Sequence, residues 1–188
     1  MNVYDFDKTI YKKDSTIDFY LYCMRHHPLI ILCLPHQIIS FLKYKMKMIH
    51  KTQFKSDFFC FMKKLDNPQE DIVRFWDLNQ KKIKQWYIKQ QKRDDVVISA
   101  SPAFLLKVIC DRLGIEFLIA SEVDIHSGRF IGENCYGTEK VNRFKQVFKE
   151  EPIHQFYTDS YSDLPLAQIA EEAFIVKKDR ILCWKSKK

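Results

Sequence analysis

Asn2-Val3-Tyr4-Asp5-Phe6-Asp7-Lys8-Thr9 stands almost at the start of the chain, an apolar run ending on two aspartates one residue apart. On extended backbone alternate side chains share a side, so Asp5 and Asp7 project together. Like charges placed that close repel unless a proton or a cation lies between them. In an open parallel sheet, ligands bind at the carboxyl ends of the strands. A strand over residues 2–6 would deliver the pair to such an edge. Taken alone, the motif also fits a turn whose two aspartates cap backbone N–H groups.

Working outward, residues 15–91 contain no glycine and carry apolar residues at helical spacing, as in Phe54, Phe58, Phe61, Met62 and Leu65. Asn67-Pro68 interrupts this block, and residues 69–90 resume as one helix. From Asp95 onward strands and helices alternate. Residues 96–98 read as a buried strand and 102–113 as a helix with Pro102 in its first turn. Gly114 stops that helix, and 117–120 is a further strand. Residues 123–125 and 129–131 form a hairpin around His126-Ser127-Gly128. A helix over 138–149, a strand over 155–158, a helix over 164–171 and a strand over 174–176 complete the pattern. It predicts an α/β fold, a Rossmann-like parallel sheet with helices on both faces. The core is residues 1–13 and 92–188, and 14–91 form a helical insertion placed as a cap.

Other chemistry-bearing residues fall where Asp5 and Asp7 do. Ser99 follows the apolar run Val96-Val97-Ile98, Lys140 opens the helix after Gly137-Thr138-Glu139, and Asp159 follows the strand over 155–158. Asp163 comes one helical turn later. Packing needs alone do not put an acid pair, a hydroxyl, a lysine and a second acid pair at successive strand ends.

In this order, Asp5-Phe6-Asp7-Lys8-Thr9, the serine of Ile98-Ser99-Ala100-Ser101-Pro102, the lysine of Gly137-Thr138-Glu139-Lys140, and Asp159-Ser160-Tyr161-Ser162-Asp163 resemble the four motifs of the haloacid dehalogenase superfamily. The long insertion after the first motif resembles that of the C1-capped branch that includes phosphoserine phosphatase. The resemblance implies a Mg²⁺-dependent phosphatase in which Asp5 is the nucleophile and Asp7 the general acid and base. It implies Mg²⁺ on Asp5, the carbonyl of Asp7, and Asp159, with Asp163 orienting the metal's surroundings. Thr9, Ser99, Ala100 and Lys140 would bind the phosphoryl group. Asp7 favours a phosphatase over a dehalogenase, which does not need that acid. Lys8 and Ser101 stand where relatives often carry glycine. Asp14 lies where phosphoserine phosphatases carry a substrate-recognising glutamate, and the shorter acid points away from phosphoserine. A phosphotransferase, and a binding module that has lost activity, are the other functions the motifs leave open.

The chain is long enough, at 188 residues, for one full core and a moderate insertion, and its 46% apolar and 29% charged residues suit a soluble globular domain. The six cysteines show no C-x-x-C pair and the six histidines no metal-binding spacing, as expected of reduced thiols in a cytoplasmic protein. No basic segment followed by an apolar one precedes residues 1–7, so no signal peptide is expected. The net charge of +7 is concentrated between Lys43 and Lys92, without the Arg/Gly-rich or zinc-knuckle patterns of nucleic-acid binders, so no nucleic-acid partner is expected. The expected partner is a phosphorylated small molecule or a lipid head group. Residues 28–51 join Leu29-Ile30-Ile31-Leu32 and Ile38-Ile39-Ser40-Phe41-Leu42 to Lys43, Lys45, Lys47 and Lys51. Too short and interrupted to span a bilayer, the segment fits either a peripheral contact with the inner face of the membrane or core between the cap helices. In the first case it resembles bacterial phosphatidylglycerophosphate phosphatases of the same branch.

Overall fold

Among residues 1–184, which the computed structural model describes, six strands form one sheet. They are β1 (Asn2–Tyr4), β2 (Val96–Pro102), β3 (Phe117–Ser121), β4 (Ile153–Thr158), β5 (Ala170–Lys177) and β6 (Arg180–Cys183), in the order β3-β2-β1-β4-β5-β6. The first five run parallel; β6 returns antiparallel against β5, so the sheet is mixed at one edge rather than wholly parallel. Eight α-helices accompany it among these residues: α1 (Ser15–His26), α2 (Leu34–Lys45), α3 (Lys51–Phe58), α4 (Pro68–Asn79), α5 (Gln85–Gln90), α6 (Ala103–Leu113), α7 (Thr138–Phe148) and α8 (Leu164–Ala167).

The central strands are apolar on both sides because both faces are covered. Val3, Val96 and Ile98 pack with Phe144 of α7 and Leu166 of α8. Tyr4 and Val97 face the other way, into a core shared with α6 and with the aromatic residues of the insertion. There α5 seats Tyr87 edge-on against Tyr4 at 4.9 Å, and Trp76 of α4 donates from its indole to the carbonyl of Leu105 at 2.7 Å. The insertion therefore packs on the core through α5 against β1 and through α4 against α6.

Several expected elements take other bounds. Residues 69–90 are not one helix: α4 stops at Asn79, a 3₁₀ turn spans Gln80–Lys82, and Ile83 makes an isolated bridge to Tyr11 before α5 begins. The break brings Lys84 inward, where its ammonium donates to the carbonyls of Lys8 and Lys178. Residues 164–171 are helical only over Leu164–Ala167, and Ala170 already belongs to β5. The hairpin at 123–131 reduces to a single bridge between Val123 and Phe130. At β1 the strand ends at Tyr4, so Asp7 lies in the turn that follows. Gly114, at φ 69°, closes α6 in the left-handed conformation, as its place in the sequence predicts.

The order of strands decides where a ligand goes. From β1 the chain moves outward through β2 and β3, then crosses back to place β4 on the other side of β1. Crossovers diverging from β1 open a crevice at its carboxyl end. Asp5, just past β1, and Asp159, just past β4, flank that crevice.

Candidate active site

A cavity of about 440 Å³ occupies the crevice. Asp5, Asp7, Asp14, Ser99, Ala100, Lys140, Asp159 and Asp163 all line it, so eight of the nine residues expected from the sequence meet there. The ninth, Thr9, is fully buried behind Asp5, its hydroxyl 3.4 Å from the Asp5 carboxylate. Thr9 is placed to position Asp5 rather than to touch a ligand.

Backbone geometry sets the two aspartates. Asp5 extends the ladder by one step, its N–H donating to the carbonyl of Tyr157 at 2.8 Å. The chain then turns on Phe6, whose carbonyl accepts from the N–H groups of Ile10 and Tyr11 at 2.9 Å. That turn places Lys8 at φ 59°, a left-handed conformation that costs a side-chain-bearing residue about 1 kcal/mol. This explains physically why glycine suits the position. The buried ammonium of Lys84 on the Lys8 carbonyl helps to hold the turn. Asp7 ends in a cradle: one oxygen accepts from the Ser15 N–H at 2.7 Å, the other from the Ser101 hydroxyl at 2.5 Å.

On the floor, Lys140 bridges two acids. Its ammonium lies 2.8 Å from Asp5 and 2.9 Å from Asp163, and Thr158 donates to the same Asp163 oxygen at 2.8 Å. Burial by itself would lower the lysine's pKa, but Asp5 and Asp163 more than offset it and hold the ammonium charged. Burial pushes Asp5 up to about 7, with Lys140 pulling down and Asp163 pushing further up. Burial, then the charge of Asp14, raises Asp7 to about 6 against the bonds from Ser101 and Ser15. Asp159 is raised as well, again chiefly by burial. The carboxylates on this side thus exceed the charge that Lys140 supplies.

The opposite wall comes from α3. Lys55 reaches across to the carbonyl of Ala100 at 2.7 Å and to Asn134 at 2.8 Å, and burial with the neighbouring Lys51 lowers its pKa to about 8. Lys51 lies over the ring of Tyr136, 3.1 Å from its centroid, and burial lowers its pKa too. Phe54 and Phe58 complete an apolar side to the same wall. Sequence reasoning missed Ser15, Lys51, Lys55 and Tyr136 as site residues, and read Ser101 only as a replacement for glycine. Ser101 carried a usable signal, since it stands two residues past Ser99 on extended chain and shares its side. Nothing local distinguishes Lys55 from the lysines around it.

Among the described residues no three His, Cys, Asp or Glu side chains cluster tightly enough to bind a metal by themselves. The cysteines are free. Chemically, the cavity offers a buried carboxylate beside a fixed cation, a second carboxylate held by two donors, and the Ser99 hydroxyl inside β2, which runs on to Pro102 rather than ending at Ile98.

A family model described as haloacid dehalogenase-like hydrolase matches residues 3–168. A probable phosphatase of Mycobacterium tuberculosis is 32% identical over 95 residues, 47% of this chain and 33% of that one. The chain spans about a third of that relative's length. Among solved structures, a Bordetella pertussis protein of unknown function superposes with a TM-score of 0.74 at 16% identity, over 92% of this chain and 87% of that one. A phosphoserine phosphohydrolase-like protein of Francisella tularensis does so at 0.59 and 16% identity, over 92% and 86%. Both share the fold.

Proposed function

Because the chain belongs to the haloacid dehalogenase-like hydrolase family, we propose that it hydrolyses a phosphomonoester through an aspartyl-phosphate on Asp5. The observation that carries this is the Asp5–Lys140 pair on the cavity floor, with Asp7 fixed beside it by Ser15 and Ser101. Asp5 attacks phosphorus while Asp7 gives its proton to the departing oxygen. Asp7 then takes a proton from the water that cleaves the acyl phosphate, and free phosphate leaves. A pKa raised to about 6 suits a group that must both give and take a proton near neutrality. Lys140 offsets the charge that Asp5 and the phosphoryl group bring together, and the Ser99 hydroxyl, which lines the same cavity, would hold a phosphoryl oxygen. Lys55, on the far wall, adds a second cation facing the same space.

The donor set fits Mg²⁺. Asp5 and Asp159 would hold it through their carboxylates and Asp7 through its backbone carbonyl, hard oxygen donors of the kind that ion prefers. Burial holds the pKa values of Asp5 and Asp159 up, and a cation between the two carboxylates would offset that cost. Bound there, the ion would neutralise phosphoryl charge. Asp163, fixed by Lys140 and Thr158, would position the donors from behind.

The substrate is a phosphorylated small molecule or a lipid head group, and the apolar wall of Phe54 and Phe58 leaves room for a substrate with an apolar part. The test is phosphate release from a panel of phosphomonoesters with Mg²⁺, with Asp5→Asn as control. Release that depends on Asp5 supports the proposal; release unchanged by Asp5→Asn, or absent from every ester, overturns it.

A further inference from the structure

The sides of helix α2 are reversed relative to an ordinary surface helix. Its buried positions are polar: Gln37 accepts from the Tyr20 hydroxyl at 2.6 Å and donates to the Phe58 carbonyl at 2.8 Å, and Ser40 donates to Asp57 at 2.6 Å. Its apolar residues face out. Ile38, Ile39 and Leu42 follow a helical stripe, and the turn before them adds Leu29, Ile31 and Leu32; these six are 53 to 65% exposed. Met46 and Met48 continue the patch. Single exposed apolar residues are ordinary, but a contiguous patch of this extent marks a surface that is covered in use.

Charge selects the occupant. Between Asp18 and Asp57 there is no acidic residue, while the exposed Arg25, Lys43, Lys45 and Lys47 are all basic. A second copy of this chain would bring the same positive charge against itself. A bilayer with anionic head groups offers an apolar interior for the stripe and negative charge for the lysines at its rim. No described helix is long and apolar enough to cross a membrane, so a helix of this kind would lie in the interface plane.

We propose that the face formed by Leu29, Ile31, Leu32, Ile38, Ile39 and Leu42 docks on the surface of an anionic bilayer. The face borders the catalytic cavity through one ring: Phe54 packs on Tyr44 at 5.0 Å and Phe41 at 5.9 Å, and itself lines the cavity. The substrate class that follows, a phosphomonoester head group presented by a lipid, rests on the phosphatase reading; the docking surface does not.

The test is flotation of the full chain with vesicles of phosphatidylcholine, alone or mixed with phosphatidylglycerol. The unaltered protein rises with the mixed vesicles, and the double substitution Ile39→Glu, Leu42→Glu lowers the bound fraction at least about tenfold. Lys43→Gln, Lys45→Gln and Lys47→Gln together lower it by about fivefold per lysine. Both variants melt with the parent, since they alter only exposed positions, and both keep its activity on a soluble ester. The proposal is overturned if the parent stays with the soluble fraction or if the double substitution leaves flotation unchanged. It is equally overturned if sedimentation finds a dimer that the double substitution dissolves, which would make a second copy the occupant. Failure of every soluble ester to release phosphate would count against the phosphatase reading alone and leave the flotation result to stand.

Discussion

Two regions of this chain depart from the usual sorting of polar and apolar side chains, in opposite directions. At the carboxyl ends of β1 and β4 the fold buries charge: Asp5, Asp163 and Lys140 are all under 8% exposed. On α2 it exposes apolar surface and buries Gln37 and Ser40 instead. Neither arrangement is stabilising in itself. Burying a charge costs several kcal/mol unless it is paired, and here the pairing is close, with Lys140 within 2.9 Å of both acids. Exposing a stripe of isoleucine and leucine forgoes burial worth about 1.5 to 3 kcal/mol for each side chain. Both are departures that folding alone does not call for, and each points to something outside the chain: a phosphoryl group and a cation in one case, an apolar anionic surface in the other.

The comparison breaks most visibly at Asp5. Asp5→Asn keeps the fold and lowers phosphate release by at least about 10³-fold, because the nucleophile is gone; turnover assays on folded protein check it. Next, Lys140→Met leaves Asp5 and Asp163 buried without their cation. It costs about 3 to 5 kcal/mol near pH 8, measured by urea denaturation. The sign with pH is fixed by Asp5, already raised to about 7 with Lys140 present. Without the lysine its folded pKa rises further above the unfolded value, so the variant holds protons more tightly when folded and loses stability as pH rises. A cost larger at pH 5 than at pH 8 would break the assignment.

On the other region, Gln37→Leu would improve α2 if its inward face were ordinary core. The hydrogen bonds to Tyr20 and Phe58 predict a loss of about 2 kcal/mol instead. Leu42→Gln, on the outward face, shifts stability by less than about 0.5 kcal/mol. A control is a buried charge remote from both regions. Asp95, fully buried at the foot of β2, is pushed up to about 6 from 3.8, chiefly by burial. Its folded form holds the proton more tightly, so stability present below pH 4 is lost as pH rises toward 6. Asp95→Asn therefore raises the stability at pH 8 by up to about 3 kcal/mol and leaves it unchanged near pH 4.

The two regions also differ in how much of them the sequence disclosed. Asp5, Ser99 and Asp159 end apolar runs, and an apolar run bounded by polar residues reads as a strand whatever its neighbours are. The site was legible because Asp5 and Asp159 sit where strands stop and Ser99 where the register of β2 with β3 shifts. Lys55 and the Ser15–Asp7 bond were not, since they depend on how α1 and α3 fold back over the sheet. For α2 the helical period was legible but its sense was not: a stripe of Ile38, Ile39 and Leu42 has the same spacing whether it faces a core or a bilayer. The break in the helix over 69–90 was hidden for a related reason. Lys84 looks like a surface lysine until the carbonyls of Lys8 and Lys178 converge on it. Strand β5 was read too short because Ala170-Glu171-Glu172 has the composition of a helix end, and pairing with β4 overrides that preference.

The most direct test of the central claim is chemical trapping on Asp5. The protein, with Mg²⁺ and a phosphomonoester it turns over, is quenched in acid and its phosphorylated residue mapped by mass spectrometry. The account predicts a hydroxylamine-labile phosphate on Asp5 that Asp5→Asn lacks. A phosphate mapped to another residue, or steady turnover by Asp5→Asn, would contradict it.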